Sequence, residues 1–451
     1  MNDDRARDAL DLAERALDAA MQGGVSEAEA LVIAEDEALT RFANSQIHQN
    51  VAEIDVTVNL RVAIGKRVGV ASSGRTDHEG LRRLAENATA IARVVEELED
   101  WAGLPGPTPA APVPAGFAQS TAAASPELRA DAVRRVISEA DDAGVTAYGS
   151  FSSGTETAAV ANSLGVRVGG TRTIAQLLTV SMGPDGGSGY AEQAAVDVDA
   201  IDATAIGREA AGKARATANA VSLDAGDYPV VLEEYAVVDL LDMLGYLGFS
   251  ALAVQEERSF VEIGKRIGSD LVTIVDDGQD PAGIPMGFDY EGVAKRRVDL
   301  LDRGICRGVV YDSQTAARDG VASTGHGLPA PNPWGPFPLN MVMAAGDQSR
   351  DDLVGGLDRG LLVTRFHYTN IVHPVESTIT GMTRDGTFLI RDGRVAHPVK
   401  NLRFTQSILE ALTGTEMIGR ETELASEFFF SASRVPALKV SSFNFSGRSD
   451  H

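Results

Sequence analysis

Between Ile54 and Ile64 every even-numbered position is apolar (Ile54, Val56, Val58, Leu60, Val62, Ile64), while Asp55, Thr57, Asn59 and Arg61 stand between them. Successive side chains of a strand point to opposite faces, so this alternation demands a strand with one apolar and one polar side. Gly65-Lys66-Arg67 supplies a turn, and Val68-Gly69-Val70 begins the return strand of a hairpin. The apolar side of such a sheet has to be covered, and amphipathic helices flank it. Leu10, Ala13, Leu17, Ala20 and Met21 recur at helical spacing from Arg5 to Met21, and Leu81, Leu84, Ala88, Ile91 and Val95 do so from Asp77 to Leu98. Ala30 to Gln49 reads as interrupted strand.

Five prolines between Gly103 and Ser125 mark a long connector, because proline cannot donate the backbone bonds that regular structure needs. Ser125-Pro126 then starts a helix, with serine as N-cap and proline at the first helical position, running to about Ala143. Strand-like stretches at 147–151, 158–162, 166–169 and 173–182 read as a meander, and a helix from Ala203 to Ala220 closes the first half. The second half opens with strand Val230–Leu232 and a helix from about Glu233 to Val254, followed by short strands. Asp392-Gly393 between apolar runs is a strong hairpin turn. At 451 residues the chain exceeds the roughly 250–300 at which one core stops growing. We therefore expect an α+β protein in two domains, 1–223 with helices on an antiparallel sheet and the connector at about 103–125, and 224–451, β-rich with helices.

Forty Lys and Arg against 64 Asp and Glu leave a charge of −24, which repels phosphate backbones and anionic lipid and argues against direct nucleic-acid binding. A proteome-wide bias such as salt adaptation is the preferred account of the acidity, which therefore says little about substrate. The single cysteine, Cys306, excludes an internal disulfide framework and fits a reducing compartment. No signal-like apolar segment follows Met1 and no run of 18 apolar residues occurs, so the expected location is cytoplasmic, without a membrane span. The nearest P-loop lookalike, Gly207 to Lys213, lies inside a predicted helix and is followed by Ala214 where a magnesium-binding hydroxyl belongs. C-x-x-C, G-x-S-x-G and H-E-x-x-H are all missing from the sequence.

Several stretches carry a resemblance. Ile54–Val70 with its helix, Asp289-Tyr-Glu-Gly292 leading to Arg296-Arg297, Asp312-Ser313 through Ser323-Thr-Gly-His326, Gly386–Val399 and Val435-Pro-Ala-Leu through Phe445 resemble, in order, the TldD/PmbA or modulator-of-gyrase family. In that family the TldD-type subunit resembles a zinc metallopeptidase, with H-E-x-x-x-H opening a helix after a strand and a later Cys ligand. Here the matching place reads Val230-Val-Leu-Glu233-Glu234-Tyr-Ala-Val-Val238. With Glu234 on the motif's Glu, Glu233 stands at the first His and Val238 at the second, and Cys306 precedes the region of the Cys ligand. Zinc needs imidazole or thiolate donors, and Val238 has none. The resemblance therefore implies the PmbA/TldE-type member: no cofactor in this chain, zinc on a TldD-type partner, and a non-catalytic part in peptide proteolysis. It implies as partners a TldD-type subunit or a second copy, with unfolded peptide as substrate.

Two alternatives stay open, so the chain's own enzymatic status is undecided at this level. One is a self-sufficient metal-dependent peptidase or hydrolase, with Glu234 catalytic and a metal held by Glu233, Glu234, His367 or His373. The other is a peptide-binding scaffold. Asp239 and Asp242 read as a solvated helix face opposite Leu240, Leu241 and Leu244. His326, His367 and His373 are candidate substrate-binding residues, His being both a metal ligand and an acid/base. If Phe366–His373 is extended, His367 and His373 share a face. Trp334 to Phe337 and Phe428-Phe429-Phe430 are candidate peptide-groove or packing aromatics.

Overall fold

The computed structural model describes residues 2–110, 112–425 and 432–448. Phe428-Phe429-Phe430 lie outside them. The first half builds an antiparallel sheet from β1 (Glu27–Ala43), β2 (Gln46–Ile64), β3 (Arg67–Ser73), β4 (Thr146–Asn162), β5 (Arg167–Met182) and β6 (Ser188–Ala195), ordered β3-β2-β1-β4-β5-β6. The predicted alternation holds where Val58, Leu60 and Val62 are fully buried, while Ile54, beyond the stretch of β2 that pairs with β3, is 78% exposed. The expected interruption in Ala30–Gln49 is a turn at Asn44 and Ser45, both at positive φ. The four expected meander pieces are two long strands, β4 and β5, paired along their length.

Helices Asn2–Met21 and His78–Val94 cover part of one face, burying Leu12, Leu17, Leu81 and Leu84 against Val58, Leu60 and Val62. Helices Pro126–Asp142 and Ala203–Ala216 cover the rest around Val133, Val136, Phe151 and Leu177. Ser125 caps the third helix as the sequence indicates, its side chain accepting from the Leu128 amide. The second helix sits so close to β3 that a Cβ on Gly69 would lie 2.2 Å from the Ala88 carbonyl oxygen. Gly69→Ala should therefore cost roughly 1–3 kcal/mol through overpacking, measurable as a lower urea midpoint at unchanged slope.

The second half forms a 12-stranded mixed sheet. Its strands are β7 (Gly226–Leu232), β8 (Ile274–Asp276), β9 (Val298–Asp302), β10 (Ile305–Cys306), β11 (Met341–Met343), β12 (Arg359–His373), β13 (Thr378–Arg391), β14 (Arg394–Pro398), β15 (Leu402–Ser407), β16 (Thr415–Ala425), β17 (Ser433–Phe445) and β18 (Gly447–Arg448). β7 lies inside it, antiparallel to β17 and parallel to β12. Asp392-Gly393 makes the expected turn between β13 and β14, both residues at positive φ. The helix expected over 233–254 is two: Glu234–Leu247 ends at Gly248, and a short helix, Ala251–Gln255, follows.

The halves meet on the first sheet's second face. Arg61 bridges Glu29 at 2.7 Å and Glu291 at 3.0 Å, and Leu31, Val160, Met286, Phe288 and Tyr290 pack nearby. Burial pushes Glu29 up to about 7 against the pull of Arg61. The proline-rich connector is tied down: the Asn162 side chain donates to the Pro105 carbonyl at 2.8 Å, and the Ala294 amide donates to the Thr108 hydroxyl at 2.8 Å. Donors from elsewhere thus reach the proline stretch, and the segment's own amides hold its ends, Leu104 donating to Glu27 Oε2 at 2.8 Å and Ala118 to Thr173 Oγ1 at 2.9 Å.

Candidate functional site

β7 delivers the chain from the sheet interior to Glu233, which stands at the N-cap of helix Glu234–Leu247 without a side-chain capping bond. Apart from Tyr246 this helix is buried along its whole length. A helix apolar nearly all round has to sit inside a protein, and this one lies against β12, β16 and β17. The solvated face expected at Asp239 and Asp242 is therefore a misreading: they are 6% and 1% exposed. Partners replace water. The Thr369 hydroxyl donates to Asp239, and Ser433 Oγ donates to Asp242 Oδ1 at 2.7 Å. Burial pushes Asp239 up to about 6, with the Thr369 bond and Arg365 opposing.

Glu233 and Glu234 are both 3% exposed and both face cations. Lys213 Nζ, from helix Ala203–Ala216, lies 2.7 Å from Glu233 Oε2 and 2.7 Å from Glu209 Oε1. The Arg350 guanidinium, at the start of helix Arg350–Gly355, reaches Glu234 Oε2 at 2.6 Å and Glu233 Oε1 at 3.4 Å. Burial would raise Glu233, but Lys213 and Arg350 outweigh it and hold the carboxyl below its ordinary value. At Glu234 burial wins over Arg350 and the value rises. Glu423 on β16, half-buried and near Glu234 and Glu209, is pushed up to about 7 by its loss of solvent and by those carboxylates.

This donor set does not fit zinc. Val238, one helical turn beyond Glu234, is fully buried among apolar neighbours and offers no lone pair. The oxygens of Glu233 and Glu234 that a cation would use already face Lys213 and Arg350. Cys306 is fully buried on β10, where burial raises its thiol and disfavours the thiolate a metal needs. Among the described residues no group of three or more His, Cys, Asp or Glu is arranged to hold a metal ion.

The suggested ligand set of Glu233, Glu234, His367 and His373 is not brought together. β12 carries register shifts between His367 and Asn370 and between Ile371 and His373, and Tyr368 within the first has φ +58°. His367 pairs with Met382 and His373 with Thr378, so the two rings lie about four strand positions apart, roughly 13 Å along the sheet. Sharing a face does not make them neighbours. His367 is drawn down by burial and by Arg384 and Arg365, and His373 is exposed. His326 is in a different place, 1% exposed, with Nε2 2.8 Å from Asp276 Oδ1 and Nδ1 2.9 Å from Thr324 Oγ1. Burial lowers it, with Asp276 opposing.

Asp289-Tyr-Glu-Gly292 is tied to Gly327, the residue that follows Ser323-Thr-Gly-His326. Asp289 accepts from the amides of Glu291, Val293 and Gly327, at 3.0, 2.9 and 2.7 Å. Beside them an apolar groove runs between the halves, walled by Tyr246, Leu328, Trp334 and Phe337. Trp334 is 54% exposed and packs on Tyr246 at 5.4 Å between ring centroids, while Phe337 is buried. The aromatic loop thus contributes to both groove and core. Sequence reasoning missed Arg350, which carries no local signal. Lys213 had one: Glu209 four residues ahead of it makes a favourable helix pair.

The profile of the PmbA/TldA metallopeptidase C-terminal domain matches residues 225–447, and that of PmbA/TldA metallopeptidase domain 1 matches residues 28–92. A metalloprotease TldD homolog of Haemophilus influenzae is 30% identical over 236 residues, 51% of this chain and 48% of that protein. A zinc metalloprotease TldD homolog of Saccharolobus solfataricus is 26% identical over 220 residues, 45% of this chain and 46% of that protein. The chain spans about half the length of the curated relatives it matches. The crystal structure of TldE from Thermococcus kodakarensis superposes with a TM-score of 0.87 at 22% identity, covering 95% of this chain and 100% of that one, which is a likeness of fold. With matching profiles in both halves and the same architecture throughout, the chain belongs to the TldD/PmbA family of metallopeptidase-related proteins.

Proposed function

We propose that this chain is the non-catalytic, TldE-type subunit of a peptide-degrading assembly, a pseudoenzyme that pairs with a zinc-bearing TldD-type subunit or with a second copy of itself. In that role it shapes the passage for unfolded peptide and works in the cytoplasm. One observation carries the reading: where the metallopeptidase relative needs a cation between its donors, Lys213 and Arg350 hold Glu233 and Glu234 from within the chain. A divalent ion would have to displace two protein cations and would still find Val238 where a donor belongs. The absence among the described residues of a helix long and apolar enough to cross a membrane, and the lone Cys306, are compatible with that location.

The test is co-expression with a TldD-type homologue from the same source. Expected are a stable complex, zinc in proportion to the partner, and degradation of an unfolded peptide only when both chains are present. Stoichiometric zinc and chelator-sensitive cleavage by this chain alone would overturn the proposal.

A further inference from the structure

We propose that the pocket around Lys295 binds a carboxylate carried on an apolar group, the chemistry of a peptide C-terminus that ends in a bulky side chain. Lys295 is 6% exposed, and among the described residues its Nζ has no hydrogen-bond partner. Carboxylates stand near it, yet their oxygens are engaged elsewhere. Asp276 takes His326 on Oδ1 and the Asn340 amide on Oδ2, each at 2.8 Å. Asp289 is filled by three backbone amides. Both act on Lys295 through space only.

A buried ammonium with unused donors is costly, and the cost is recovered when an acceptor arrives. The stem is held in place by close packing, since a Cβ on Gly278 would lie 2.3 Å from Lys295 Cδ. The lysine therefore cannot easily swing out to find water.

The narrow space it lines also has His326, Asn340 and Arg172 in its wall. It adjoins the apolar groove, and Glu156, Tyr290 and Leu339 border both. Glu156 does not repel an incoming anion strongly, because Arg172 holds it at 2.8 Å and the Tyr290 hydroxyl donates to it at 3.2 Å. A cationic donor at one end and an aromatic groove at the other match a ligand with a carboxylate head and an apolar body. A small free carboxylic acid has the same chemistry as a peptide end.

The proposal goes beyond the subunit assignment and does not rest on it, because binding is measured on this chain alone. The probes are the tetrapeptide Ala-Ala-Ala-Phe with a free C-terminus, its C-terminal amide, and N-acetylphenylalanine, each titrated calorimetrically into the wild-type chain and into Lys295→Met. The free-acid peptide should bind roughly tenfold or more tighter than the amide, the scale of one charge-assisted hydrogen bond. Lys295→Met should abolish that difference. Tighter binding of the tetrapeptide acid than of N-acetylphenylalanine supports a peptide terminus; equal binding supports the carboxylate site with a small acid as its ligand. Equal affinity for acid and amide in the wild type, or no binding at roughly millimolar concentration, overturns the proposal. The wild-type comparison needs no variant, so a poorly folding Lys295→Met leaves the test intact.

Discussion

Replacing Lys213 with methionine is expected to lower the unfolding free energy by about 3–5 kcal/mol, the scale seen when one partner of a buried ion pair is removed. Methionine keeps most of the stem volume, so the loss reports charge more than packing. The lysine side chain is 12% exposed and the Glu233 side chain 4%, so water cannot replace the missing ammonium. Lys213 also stands over the Tyr235 ring, 5.2 Å from its centroid, and that contact goes with it. Glu233→Gln should be milder, because Lys213 keeps Glu209 and Arg350 keeps Glu234. The double variant should recover part of the single loss, since the uncompensated carboxylate is then gone. Urea denaturation of the three variants measures this, and a loss below about 1 kcal/mol for Lys213→Met would show that the lysine is not what neutralises Glu233. Zinc is not expected to enter even then, because Val238 still supplies no ligand.

The fold should also be more stable at mildly acidic than at alkaline pH. Asp239 is raised from 3.8 to about 6, and Glu423 from 4.5 to about 7, by burial first in each case. Such groups hold protons in the folded state that the unfolded chain has already released. Between their unfolded and folded values the native state binds more protons, so stability rises as pH falls through the folded values toward the unfolded ones. Glu233 runs the other way: its lowered value adds stability above 4.5 that is lost as pH falls through its folded value. The two trends place the optimum near about pH 5. At roughly 1.4 kcal/mol per unit, Asp239 alone contributes on the order of 1 kcal/mol between about pH 7 and pH 5. The charge of −24 pushes in the same direction, so a variant has to separate the two. Asp239→Asn mimics the protonated acid and keeps an acceptor for the Thr369 hydroxyl. It should be more stable than wild type at about pH 8 and show a flatter profile, and an unchanged pH slope in thermal melts would count against this assignment.

Patterns that repeat within a few residues were legible without coordinates. The alternation around Val58 located the buried face of β2, Ser125-Pro126 marked a helix start, and Asp392-Gly393 marked a hairpin. Each is a local preference of the backbone, present before the chain collapses. Errors came where a local pattern had to stand for surroundings. Asp239 and Asp242 look like the wet side of an amphipathic helix until the sheet closes over it. His367 and His373 share a strand face, but the distance along the sheet keeps them apart.

The sequence alone determined that Val238 carries no metal donor and that Cys306 is the sole thiol, because those are statements about which atoms exist. Only the tertiary structure decided that Lys213 and Arg350 neutralise Glu233 and Glu234, and that Lys295 is buried without a hydrogen-bond partner among the described residues. Lys213 comes from 20 residues before Glu233, and Arg350 from 116 residues beyond Glu234. Which charges meet over such separations is settled by how the helices and sheets pack, and burial then sets how strongly they are felt.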